Sequence, residues 1–568
     1  MTTSPSARAP EPVVHPSASA TLGEHPPFPE GPSLSVLVRP VLEPVPAVHV
    51  EIVTWLPGTG LEIWRLADGM PDRISNVTAR DGSGDILVRV SAAAPGVALT
   101  LARSPGDALH LSYDVRANDS APDDPFAELV LDDRFRAAGE GIIALPEALG
   151  DGAVRTTLRI DGEALRASNC ASSFGVGRAR QLTLRPRALR YATFMAGSIG
   201  AAVMDDPAAG HDEAAWLGYT AFDPRPAAAE VAQIRSSLGD LFKAHDEPPS
   251  TFLVVSQTRP IGSFFTSARA ASVLLQVGPA EPWSAPVRLS IAQQLARRWV
   301  GGALRIATEP GHEAESWWFS EGVARFVAMH VLSHLGLATP ADVRDEVAGQ
   351  LAVLATSGYG ERGNVDLAAI ARTNELARAT LVARGALYAA REEAVLRART
   401  RGERGLDSVL VGLLTSGTRD LTPFPPSAWI EALSKEDPAA AHAFEAIIVR
   451  GSPIALPDPS MGPCFRAGRG EYVAFDPGFS VSGTRESKDG RVVDLRKGGP
   501  ADKAGLRDGD VVAAMTEREG DARVPVKLVV TRSGAKVNVT YLPAGARGVG
   551  QTWTRARNVG DERCGELL

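Results

Sequence analysis

At 568 residues the chain is too long for one hydrophobic core, and its length predicts about three or four domains of ordinary size. Apolar residues at 44% and charged residues at 22% describe a globular protein, and no apolar run is long enough to cross a bilayer. A net charge of -8, with Lys and Arg scattered rather than gathered in blocks, gives no footprint for nucleic acid and disfavours an anionic membrane surface.

Residues 1–34 are rich in Pro, Ser and Ala and lack the apolar core of a signal peptide, which predicts a disordered tail. As encoded the chain is expected in the cytoplasm; a start further upstream would supply an export signal and place it in the periplasm. From 35 to 169, short apolar runs such as LSVLVRPV, AVHVEIVTWL and ALHLSYDVRA alternate with turn residues and predict an antiparallel β-sandwich.

Residues 170–460 read as a second unit. Up to about residue 300 it mixes strands (TLRPRALRYATFMAG, STFLVVS) with one helical run, PAAAEVAQIRSSLGDLFKAH, whose apolar positions recur at three and four. Beyond that, helical periodicity dominates through EGVARFVAMHVLSHLG, PADVRDEVAGQLAVLA, VDLAAIARTNELARATLVARGALYAAREEAVLRART, LDSVLVGLLTSG and FEAIIVRG.

Within this unit two helical patterns, LSIAQQLARRWV at 289–300 and WWFSEGVARFV at 317–327, resemble the active-site frame of gluzincin metallopeptidases. There one helix carries HExxH and a second, about a score of residues on, carries a liganding Glu in a W-F-x-E-G-like sequence. Two His at i and i+4 share a helical face and reach one zinc, while the intervening Glu takes the proton of the metal-bound water. In this chain the three places hold Gln293, Gln294 and Arg297. The third ligand place keeps Glu321, inside Trp318-Phe319-Ser320-Glu321-Gly322.

Further elements resemble the glycyl aminopeptidases among these enzymes. Thr54-Trp55-Leu56-Pro57-Gly58-Thr59-Gly60 is similar to a W-T-P-G-S/T-Y element, although an ordinary Pro-Gly turn accounts for it equally. Arg259 to Thr266 stands where the family has Gly-Gly-x-Glu-His on the edge strand of the cleft, its Glu binding the free amine of the peptide; no acid is present here. Val382-Ala383-Arg384-Gly385-Ala386-Leu387 resembles Y-x-K-G-A-L, with Val382 in place of the Tyr whose hydroxyl supports the oxyanion, a role closed to a hydrocarbon. The stretches LDSVLVGLLTSG and FEAIIVRGSPIALP resemble two further family elements of structural character.

Residues 470–545 are identified by Gly498-Gly499-Pro500-Ala501-Asp502-Lys503-Ala504-Gly505-Leu506-Arg507-Asp508-Gly509-Asp510 as resembling a PDZ domain. Pro500 opens a short helix, Gly505 ends it, and Asp508-Gly509-Asp510 turns the chain into a strand. Asp476 to Val481 is expected as the strand whose backbone N–H groups, at Gly478, Phe479, Ser480 and Val481, receive a peptide or protein C-terminus. A closed groove with a packing role is the alternative. Residues 546–568 read as a C-terminal tail.

The resemblance covers residues 35 to 545 and implies a multidomain α+β protein: an N-terminal antiparallel β-sandwich, a thermolysin-like peptidase domain with an αβ part and a helical lobe, and a PDZ domain. It implies a degenerate member with no intact catalytic residue, the degenerate positions being Gln293, Gln294, Arg297 and Val382. No cofactor and no metal are expected. Amide oxygens do not replace imidazole on zinc, and the Arg297 cation opposes a metal. In the alternative, an active metallo-aminopeptidase with rearranged ligands, zinc is the cofactor.

One turn after Gln293, Arg297 is expected to aim its guanidinium at Glu321 and take the metal's place; otherwise both face water. His312-Glu313-Ala314-Glu315-Ser316 begins like HExxH but ends in Ser and is expected to be a chance match. His330 and His334 have i,i+4 spacing but no visible third ligand, and are expected not to bind metal. Cys170, Cys464 and Cys564 lack metal-site spacing and are expected as free, buried thiols, with pairing of Cys464 and Cys564 in an oxidising compartment the alternative.

Overall fold

The computed structural model describes residues 32–55, 61–106, 108–118, 124–147, 152–166, 169–206, 210–244, 250–256, 264–417, 422–487, 489–517, 522–557, 559–560 and 564. The expected N-terminal tail lies almost wholly outside them, as does Leu56 to Gly60 of the turn element.

Strand alternation dictates the first unit. Ser33–Val41 and Ala47–Trp55 place every second side chain inward and pair antiparallel. Ser33–Val41 also pairs parallel with Val154–Ile160, so the sheet is mixed rather than wholly antiparallel. Sheets of seven, five and four strands enclose a core that includes Val36, Ile52, Trp64, Leu111 and Phe135. The unit does not stop at 169. Ala179–Leu184 pairs back onto Val154–Ile160, and Thr193–Gly197 pairs with both Arg134–Ala138 and Asn169–Ser172.

The next unit opens with a five-stranded sheet in the order Ile199–Asp206, Gly210–Leu217, Thr251–Ser256, Ser272–Val277, Phe264–Arg269. Its inner strands are parallel and buried on both faces, so Thr251–Ser256 and Ser272–Val277 read as continuous apolar runs rather than alternating ones. The helix Pro224–Leu241 packs on this sheet through Ala227, Ala228, Val231, Ile234 and Leu238; Asp223 caps it by accepting from the Arg225 N–H.

The edge strand is Phe264–Arg269, beside the first site helix, Ala285–Ala296. This lies later than the expected Arg259 to Thr266, of which 259–263 fall outside the described residues. Phe264–Arg269 also contains no acidic residue.

The helical lobe follows as Ala324–His334, Pro340–Thr356, Asn364–Ala371, Glu375–Thr400, Leu406–Gly417 and Pro426–Ser434. The helical pattern from 365 to 400 is broken where Asn374 turns the chain and caps Glu375–Thr400 by accepting from the Ala377 N–H. Trp318 forms the centre of the lobe, ringed edge-on by Phe319, Tyr388, Trp429 and Phe444. Each such aromatic contact adds about 1 kcal/mol to the area that the rings bury.

The C-terminal module is a long antiparallel ribbon, Phe465–Phe475 with Ala544–Arg555, and a three-stranded sheet of Val511–Thr516, Val526–Arg532 and Ala535–Tyr541. The ribbon lies on Pro340–Thr356 so closely that a Cβ on Gly548 would meet the Ala355 carbonyl oxygen at 2.0 Å. Residues 544–555 are therefore strand and not tail. The chain end is tied down further by a Cys464–Cys564 disulfide, which corrects the expectation of free thiols for that pair. Cys170 forms no disulfide and is buried, and burial pushes its thiol up to about 11.

Candidate functional site

The first site helix is buried along most of its surface, and Gln293 lies on its inner side with 8% exposure. The Gln293 amide is used twice. Its Nε2 donates to the Glu321 carbonyl at 3.0 Å, and its Oε1 accepts from Arg325 Nη1 at 3.1 Å. Arg325 in turn grips Glu346, with Nη2 to Oε2 at 2.9 Å, and Gln350 donates to the same carboxylate at 2.6 Å. Burial works against both charges, yet each outweighs it for the other: Arg325 holds the Glu346 carboxyl below its ordinary value, and Glu346 raises Arg325. Two organic cross-links thus join the helices that a shared metal would join in an HExxH frame.

Glu321 sits in a π-helical turn, Trp318–Val323, that leads into Ala324–His334. Its carboxylate is held by Arg378, with Nη2 to Oε1 at 2.8 Å and Nε to Oε2 at 3.3 Å. Arg378 comes from the first turns of Glu375–Thr400, and its guanidinium also lies 4.9 Å from the centre of the Trp317 ring. What brings that helix so close is a glycine-on-glycine crossing. A Cβ on Gly322 would meet Gly385 Cα and the Val382 carbonyl at 2.7 Å; one on Gly385 would meet the Trp318 carbonyl at 1.8 Å. Val382 is half-buried at this crossing.

The expected partner of Glu321 is therefore replaced. Arg297 is the C-cap of the first site helix and keeps its place one turn after Gln293, its N–H donating to the Gln293 carbonyl at 3.0 Å, but its side chain goes elsewhere. Arg297 Nη1 meets Gln294 Oε1 at 3.4 Å, and the same oxygen accepts from the Ala268 N–H of the edge strand at 3.2 Å. A guanidinium does neutralise Glu321, but it belongs to Arg378. Sequence reasoning misses Arg378, Arg325 and Glu346. The available signal is that Arg378 lies two helical turns before Gly385, on the same face.

Zinc does not fit this donor set. Both ends of the Gln293 amide are engaged, the Glu321 carboxylate is engaged by a cation, and Arg297 adds another cation nearby. Among the described residues no three His, Cys, Asp or Glu side chains converge on a metal position.

Compared with solved structures, the chain is similar to the aminopeptidase N family protein of Idiomarina loihiensis, at 14% identity and a TM-score of 0.66. That match covers 94% of this chain and 100% of the other. The fold is gluzincin peptidase-like. Weaker likenesses are to the M1 zinc metallopeptidase of Deinococcus radiodurans, at 16% identity and a TM-score of 0.46, covering 75% of this chain and 95% of that one. A further one is to yeast LTA4 hydrolase in complex with bestatin, at 11% identity and 0.49, covering 75% and 68%. No protein-family model and no curated protein matches the chain.

The remaining sequence candidates fall elsewhere. His312 bonds Glu315 at 2.9 Å on an exposed turn, and Glu313 pairs with Arg372. The His330 ring stacks along Phe326 on Ala324–His334. Gly478, Phe479, Ser480 and Val481 do not form the expected strand edge. The Gly478 N–H goes to Asp476 at 2.9 Å, Phe479 is buried in the module core, and the Ser480 N–H goes to the Val493 carbonyl at 2.9 Å. Ser480 then caps a short helix, Val481–Glu486. The cause is local: the Ser480 hydroxyl accepts from the Gly483 N–H, a turn-forming bond that outcompetes extension. Pro500–Lys503 is helical, and Gly505 follows at φ +96°, as the signature requires.

Proposed function

We propose that the chain is a pseudopeptidase, a peptidase-like scaffold that holds peptide in its former cleft without hydrolysing it. The observation that carries this reading is the occupation of Glu321 by Arg378 where the gluzincin resemblance places a zinc ligand. Gln294 offers no general base, because a side-chain amide is neutral and its oxygen is bonded to the edge strand and to Arg297. Val382 offers no hydroxyl to an oxyanion. Among the described residues no strand pairs on the outer edge of Phe264–Arg269, which offers it to a peptide strand.

The C-terminal module, PDZ-like in its signature, is proposed to be a packing element. In its Asp476 to Val481 segment the Gly478 and Ser480 N–H groups are engaged within the module, and its ribbon is seated on the helical lobe. The experiment is hydrolysis of Gly- and Ala-aminoacyl reporters by the full chain with zinc supplied. No turnover is expected. Turnover abolished by a chelator would establish the active metallo-aminopeptidase instead.

A further inference from the structure

Among the described residues, the outer edge of Phe264–Arg269 is open up to a defined stop. In an antiparallel ladder, alternate residues direct both backbone groups away from the partner strand. The Ala268 N–H points outward to Gln294, so Phe264 and Thr266 point outward too. Among the described residues, no hydrogen bond reaches their outward backbone groups.

The edge closes at Ala268. Gln294 takes its N–H, and the next residue, Arg269, is buried against Glu140 of the first unit, with Nη1 to Oε1 at 2.7 Å and its guanidinium over Phe126. A strand added to this edge must end there.

The charge at that end is positive. Arg297 stands beside Gln294, half-buried, and forms no ion pair with any carboxylate among the described residues. The carboxylate of Glu321 is already engaged by Arg378. A strand added antiparallel would bring its α-ammonium toward Arg297, a like-charge contact. One added parallel would bring its terminal carboxylate there, a charge-assisted hydrogen bond.

We infer that the cleft binds the free C-terminus of an extended peptide, laid parallel to Phe264–Arg269 with its terminal carboxylate on Arg297. This deepens the pseudopeptidase reading and rests on it. It reverses the chain-end polarity that the glycyl aminopeptidase resemblance implies, in which an acid holds the amine. A terminal carboxylate is favoured over an acidic side chain because the chain has no path beyond Ala268.

The test is binding of N-fluoresceinylated mixed-sequence hexapeptide pools to the full chain by fluorescence anisotropy. Pools differ only in a free or an amidated C-terminus, and a third is amidated and enriched in Asp and Glu. The free-acid pool is expected to bind at least about tenfold more tightly than either amidated pool. Arg297→Ala is expected to remove that difference and Arg297→Lys to keep part of it, with circular dichroism confirming that both variants fold. Equal binding of the acid and plain amide pools overturns the inference and leaves a peptide-holding cleft intact. A match between the acidic amidated pool and the free-acid pool overturns the terminal assignment. Binding by no pool overturns both the inference and peptide holding, whereas zinc-dependent hydrolysis of the aminoacyl reporters overturns the pseudopeptidase reading alone.

Discussion

Arg378 grips both carboxylate oxygens of Glu321 across 57 residues of sequence. The carboxylate is 8% exposed and the guanidinium 50%. Removing the cation strands a buried charge. Arg378→Ala is expected to cost about 2 kcal/mol, less than for a fully buried pair because half of the guanidinium is already in water. Glu321→Gln in that background is expected to restore most of the loss. Chemical denaturation of both single variants and the double variant measures the coupling, and additive costs would show that the pair does not hold the site together.

The crossing of Gly322 and Gly385 has no room for a methyl group, since the atom that a Gly385 Cβ would strike is the backbone carbonyl of Trp318 at 1.8 Å. Gly385→Ala is therefore expected to cost about 3 kcal/mol or more. Gly412, in the helix Leu406–Gly417, is the control, because a Cβ there would meet nothing within 4 Å. Gly412→Ala is expected to stabilise by about 0.5–1 kcal/mol through helix propensity. Thermal unfolding of the two variants checks the contrast.

Glu392 is fully buried on Glu375–Thr400, with Oε1 on Arg391 and Oε2 without a hydrogen-bond partner among the described residues. Burial pushes its carboxyl up, Arg391 pulls it back and the charge of Asp437 adds to the rise, leaving it at about 7. Between about pH 4.5 and about pH 7 the folded chain keeps a proton that the unfolded chain has released, so this group's contribution falls as pH rises, by about 3 kcal/mol in all. Glu392→Gln is expected to be more stable than the parent near about pH 8, with the gap shrinking toward about pH 5. Denaturation midpoints at both pH values read it; a gap independent of pH would contradict this titration.

Cys464 and Cys564 close a loop of 100 residues of sequence separation around the C-terminal module. On the chain-entropy account such a cross-link stabilises by about 5 kcal/mol. The oxidised protein is expected to show no reactive thiol when folded, one on unfolding, from Cys170, and three after reduction. Thiol titration under the three conditions gives the count, and three thiols on unfolding without reductant would exclude the bond.

The helical frame was legible because its signals are local. Trp318-Phe319-Ser320-Glu321-Gly322 fixes a buried turn, and Gln293 and Gln294 sit where periodicity places them. The partner of Glu321 was not, because it depends on which way a side chain turns and on a remote crossing. Arg297 keeps the helical backbone bond to the Gln293 carbonyl, but its guanidinium turns to Gln294 rather than to Glu321. Arg378 reaches Glu321 because Gly322 and Gly385 let two helices touch, a relation that no window of sequence displays. Ser480 illustrates the opposite failure: a strand pattern from 476 to 481 lost to a local cap.

The central claim is that a guanidinium and two amide contacts hold the frame in place of zinc. Metal analysis of the purified, dialysed full chain tests it most directly. The account predicts well under about one tenth of an equivalent of zinc per chain, before and after incubation with added zinc. One equivalent retained through dialysis and released only by a chelator would contradict it.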